Sequence, residues 1–204
     1  MWDEQLWAQG LTLAIVLVYF IKQWCWPAPI TRHHEQLRAD WLLSVSATPG
    51  TEVLGVQTIR NSLMSCSMTA TAATLAFMGG VSLLSSNWEP AAPMRAIEQM
   101  PSIFAVLVLL GLALITSMLS ARQWHHAGFV AGMPVGSAQR QQWLPVGQKC
   151  LRKAGHYYAL SVRLLIWCVP LVTAGLFGWV GAVASVLLLV LVVRGMDRES
   201  TGFF

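Results

Sequence analysis

Along the chain, long apolar blocks with almost no interior charge alternate with two more polar tracts. Five apolar segments can be drawn, at about residues 6–26, 62–85, 102–120, 160–176 and 179–194, and each approaches the roughly 20 residues a helix needs to cross hydrocarbon. The last two come from one block, Leu160 to Val193, which is too long for a single crossing. Its soft centre, Gly175-Leu176-Phe177-Gly178-Trp179-Val180-Gly181, predicts a tight helical hairpin. Trp2 and Trp7 at one end of the first segment, and Trp24 and Trp26 at the other, read as interfacial belts.

The polar tracts, residues 27–60 and 121–158, are not featureless linkers. Trp41, Leu42, Leu43, Val53, Leu54 and Val56 recur through the first, and Trp124, Phe129, Val130, Trp143 and Leu144 through the second. That recurrence predicts short helices lying at the membrane interface. The whole is expected to be one all-α membrane domain, residues 1–204, with no internal repeat.

Composition sharpens the class. With 55% apolar and 11% charged residues, a water-soluble chain of this size would have to bury every helix all round, so a soluble enzyme is excluded. The basic excess, 13 lysines and arginines against 9 acidic residues, shows no block interleaved with aromatics, so no nucleic-acid partner is expected. It sets orientation instead. With the amino terminus outside, all the basic residues but Arg95 fall on the cytoplasmic side, including Arg194 and Arg198 in the tail. Five spans, amino terminus out and carboxyl terminus cytoplasmic, is therefore the expected topology, in a bacterial inner membrane. The acidic start, Met-Trp-Asp-Glu, precedes no small-residue cleavage site, so the first segment is expected to be retained. Cys66 and Cys168 fall inside spans and Cys25 and Cys150 near the cytoplasmic face, and no disulfide is expected.

Candidate chemistry is sparse. On a helix Gln57, Asn61, Ser65 and Thr69 lie four apart, a polar stripe running into the bilayer with Arg60 at its edge. Beyond it Ala72, Ala76 and Gly80 keep similar spacing and would let another helix approach closely. A packing seam is the favoured reading and a polar cytoplasmic vestibule the alternative. Arg163 lies near the cytoplasmic start of the fourth span, and Asp197 would return beside it as a structural ion pair across the hairpin. His33-His34, His125-His126 and His156 lack the i,i+3 or i,i+4 spacing with which one helix supplies two metal ligands. No metal, cofactor or catalytic residue is expected. No Cys-x-x-Cys, nucleophile elbow or phosphate loop occurs in the chain.

The run Leu54-Gly55-Val56-Gln57-Thr58-Ile59-Arg60-Asn61-Ser62-Leu63-Met64, followed by a Thr/Ala-rich span, resembles the signature of the domain of unknown function 599 family. Ala121-Arg122-Gln123-Trp124, Gly155-His156-Tyr157-Tyr158 before Arg163, and Gly195-Met196-Asp197 match that family's later landmarks in the same order. The resemblance implies a small multi-span membrane protein without an established activity. It singles out Gln57, Arg60, Asn61, Arg122, Arg163 and Asp197, all at cytoplasmic helix ends in the expected topology. The chain departs from the pattern between Gly132 and Val146, where Gly, Pro and Gln replace an Asn-Thr-Pro turn.

Small size, missing catalytic motifs and the small-residue seam point to a non-catalytic accessory or scaffold subunit. Its partners would be membrane lipid and other membrane subunits or copies of itself. The alternative is a small carrier, channel or lipid-handling protein whose vestibule uses Gln57, Arg60, Asn61 and Arg163.

Overall fold

A computed structural model describes residues 2–26, 29–86 and 101–195, and these are helical almost throughout. Among the described residues six helices follow in order: α1 (Trp2–Cys25), α2 (Pro29–Ala47), α3 (Glu52–Ser86), α4 (Pro101–Ala131), α5 (Ala138–Phe177) and α6 (Trp179–Gly195). Four of them, α1, α3, α4 and α5, contain stretches long and apolar enough to cross a membrane. The shorter α6, with 17 residues, extends about 25 Å, near the lower limit for a span. The chain is thus an all-α membrane protein.

Two compact units emerge, one of residues 1–30, 73–113 and 163–204, the other of residues 31–72 and 114–162. In the first, Val16 and Tyr19 of α1, Val106 and Leu110 of α4, Trp167, Cys168 and Leu171 of α5 and Val192 of α6 form the core. Tyr19 and Trp167 pack with ring centroids 5.0 Å apart.

The break expected between residues 176 and 179 falls at Gly178. This residue adopts φ 58°, a left-handed conformation that glycine reaches without a Cβ penalty. The Gly178 N–H donates to Ala174 O, and the Gly181 N–H donates to Gly178 O, both at 3.0 Å. A Cβ on Gly181 would overlap the backbone of Ala174, so the returning helix starts where only hydrogen fits. Gln5 Nε2 donates to Gly175 O at 2.9 Å, tying the start of α1 beside the turn. Farther along, Lys22 and Val193 line one shallow groove, so α6 runs alongside α1 in the same direction.

In the second unit the core joins Leu42 of α2, Ile59 and Cys66 of α3, Trp124, Ala127 and Ala131 of α4, and Leu151 and Ala154 of α5. Small residues let these helices approach, and small hydroxyls bridge them. Ser117 and Ser161 share a hydrogen bond of 2.6 Å. Ser120 donates to Ala154 O at 2.7 Å and lies 3.2 Å from Cys66 Sγ.

The segment where the chain departs from the family pattern is clipped from two sides. Glu52, at the start of α3, accepts from the Val135 N–H at 2.9 Å. Arg140 is 1% exposed; its guanidinium donates to Ser46 Oγ at 3.1 Å, to Met133 O and to Val45 O. One arginine therefore satisfies the exposed carbonyl end of α2 and holds the α4–α5 connection to it.

Two outcomes test this packing. Gly181→Ala should destabilise the protein by at least about 2 kcal/mol through backbone overlap. Gly10→Ala, on an open helix surface, should be neutral or stabilise by up to about 1 kcal/mol. Unfolding in a mixed-detergent titration reads both. A double-mutant cycle of Ser117→Ala and Ser161→Ala should give a coupling of about 0.6 kcal/mol and no more than about 1.7 kcal/mol.

Candidate functional site

The family-signature helix α3 packs on one face and leaves the other open. Gly55, Ile59, Cys66 and Ala73 are buried, a spacing near seven that keeps one narrow seam against neighbours. Gln57, Arg60, Asn61 and Ser65 are all exposed, as are Ala72 and Ala76. Only 6% of its most apolar window is buried. Of the expected contact series, Gly80 approaches a neighbour closely, for a Cβ there would lie 2.8 Å from Leu107 of α4.

The hydroxyls on this open face are satisfied from within the helix. Thr58 donates to Leu54 O at 2.9 Å, Ser62 to Thr58 O at 3.2 Å, Ser65 to Asn61 O at 3.2 Å and Thr69 to Ser65 O at 2.8 Å. Serine and threonine can therefore face lipid without a partner helix. Side-chain amides cannot do this as completely, because each brings two N–H donors and a carbonyl. Gln57 and Asn61 are the groups on this face whose satisfaction calls for something outside the helix.

The remaining predicted residues separate. Arg163 belongs to the first unit, is 5% exposed, and its Nε donates to the Tyr19 hydroxyl at 3.1 Å. Its expected partner Asp197 lies outside the described residues. Arg122 is exposed in the second unit, where it lines a shallow groove with Cys66, Ser117, His125 and His126. Among the described residues no three metal-ligating side chains converge.

One family landmark acquires a steric reason. A Cβ on Gly155 would overlap the guanidinium of Arg38, so the glycine opens α5 for an arginine reaching over from α2. Beside it His156 Nδ1 lies 3.5 Å from Glu35 Oε1. Burial lowers the pKa of Arg38 below its ordinary value, and the Glu35 charge opposes that shift. The Arg38 Nε is buried and has no hydrogen-bond partner among the described residues. Arg38 and Arg140 look in the sequence like any other cytoplasmic-side arginine. The only available sign of the Arg38 contact is a glycine in the middle of a helix, which implies a close approach.

An all-helical membrane protein with a signature helix turned outward is the class that this fold defines. The chain belongs to the family described as protein of unknown function, DUF599, whose model matches residues 7–201. No curated protein matches it. No solved structure matches it either.

The Gly155–Arg38 contact can be isolated. Gly155→Ala should destabilise the second unit by about 1–2 kcal/mol through displacement of the guanidinium. In an Arg38→Ala background the same change should be neutral or stabilising, because only the helix-propensity gain remains. Equal costs in both backgrounds, measured by detergent unfolding, would refute the contact.

Proposed function

We propose that this protein is a non-catalytic assembly subunit of a bacterial inner membrane, building a complex through the open face of α3. The carrying observation is that the polar stripe Gln57, Arg60, Asn61, Ser65 is turned away from the chain's own helices. Amides exposed along a helix that enters hydrocarbon gain most from a facing helix that can bond them. Ala72, one further step along the open face, keeps the surface low enough for such a helix to come close. A second copy of the chain is the simplest partner, since it brings the same amides to the same seam.

The expected topology fits this reading. With the amino terminus outside and five crossings, Gln57, Arg60 and Asn61 stand at the cytoplasmic edge of the bilayer, where an arginine can extend its head to water while its stem covers the seam. A transport role would require the same stripe to line a passage, and among the described residues it is exposed, so copies would have to assemble around it.

The distinguishing substitution is Asn61→Leu, which removes the amide and keeps a helix-forming side chain of similar size. Assembly should weaken by about three- to twentyfold, the worth of one interhelical hydrogen bond, and Ala72→Leu should weaken it by obstructing the approach. Native-membrane extraction into nanodiscs followed by mass measurement reads the oligomer directly. Undiminished assembly of Asn61→Leu, accompanied by lost solute or lipid movement, would overturn the proposal in favour of the carrier.

A further inference from the structure

The first unit contains a cavity of about 590 Å³ that no part of the assembly reading uses. Its size lies within the range of small-molecule sites. The long walls are apolar: Val106, Leu107 and Leu110 of α4, and Leu171, Val172 and Leu176 of α5. On α4 the lining runs from Ser102 to Leu110, a depth of about 12 Å at the rise of a helix. Half of a hydrocarbon core about 30 Å thick is about 15 Å. The cavity therefore matches the depth of one leaflet.

Polarity is confined to one end. Gln9 is 3% exposed and lines the cavity with Gln5 and Ser102. Its Oε1 accepts from Ser102 Oγ at 3.1 Å and from the Ser102 N–H at 3.4 Å. Those bonds fix the amide so that its nitrogen is the remaining group, and among the described residues Nε2 has no acceptor. At Gln5 the reverse holds: Nε2 is engaged with Gly175 O, which leaves its carbonyl oxygen as an acceptor. An amide donor that opens on an apolar cavity without an acceptor is costly unless something there supplies an oxygen. None of the described lining residues is charged, so a bare carboxylate or phosphate would enter without a counter-charge.

We propose that this cavity binds one acyl chain of a glycerolipid, drawn from the leaflet at the amino-terminal end of α1, with its ester carbonyl accepting from Gln9 Nε2. The apolar walls hold the chain, the leaflet-depth pocket sets its length, and the neutral amide recognises the ester. The charged headgroup stays outside, where water and the membrane surface solvate it. Gly79 borders the same space, and a Cβ there meets nothing within 4 Å, so a side chain at this position would project without disturbing the backbone.

The test is native mass spectrometry of the full chain in nanodiscs of dioleoyl phosphatidylglycerol, and separately of its diether analogue, which lacks the carbonyls. Wild type should retain one diester lipid per chain and retain the diether about five- to tenfold less, the worth of one hydrogen bond. Gly79→Phe, which fills the space without touching the amides, should abolish retention while the folded protein elutes normally. Gln9→Leu should reduce diester retention to the level of the diether. Equal retention of diester and diether by wild type would overturn the ester contact. Undiminished retention by Gly79→Phe would overturn the cavity as the site. Because this readout is lipid per chain, it is independent of the α3 assembly measurement.

Discussion

Hydrocarbon offers a polar group no water, and this constraint organises the protein more than any single contact. Among the described residues, polar side chains within the helices show three main arrangements. Serine and threonine on the open face of α3 donate to carbonyls of their own helix. Buried hydroxyls such as Ser117 and Ser161 bond one another across helices. The larger groups, Arg163 with Tyr19 and Gln9 with Ser102, are bound in specific pairs that also fix helix positions. The exceptions then become informative, for the Gln57 and Asn61 amides on the open face and the Gln9 nitrogen call for a group that the described residues do not provide.

Packing follows from residue size once those pairs are set. Within hydrocarbon, helices gain little from burying apolar surface, so they associate where small residues permit close contact. Gly80 against Leu107, Gly181 against Ala174 and the Ala127, Ala131 and Ala154 positions of the second core all use this route. In the second unit two arginines add another device. Arg140 gathers backbone carbonyls from the end of α2 and the α4–α5 connection, and Arg38 lies across the bare backbone of Gly155. Arg140 holds helices together through a planar, multiply bonding head, and Arg38 does so by packing its planar guanidinium over a helix backbone, rather than through surface ion pairs.

The two regions proposed to act differ in kind. The outward stripe of α3 is an exposed polar surface, proposed to face another helix, and the cavity beside Gln9 is a largely apolar enclosure, proposed to hold a single acyl chain.

Much of this architecture can be read from residue order. Block length and the scarcity of charge define a membrane protein made of helices, because only a self-bonded backbone tolerates lipid. The family is legible in the Gln57 to Met64 run and the Gly155 landmark, and the glycines at 175, 178 and 181 announce a break in the last block. The faces were not legible. Three- and four-residue helical spacing groups Ala72 with Asn61 and Ser65, yet that spacing cannot say whether the stripe turns toward the bundle or away, and the neighbouring positions Cys66 and Ala73 are the ones that pack. Nor could spacing reveal that Gln9 would meet Ser102, 93 positions away, or that Arg38 would lie on Gly155. Local pattern determines which elements form because backbone bonding in lipid is local. Helix rotation and long-range pairing are decided only when several helices compete for the same few small residues and polar partners.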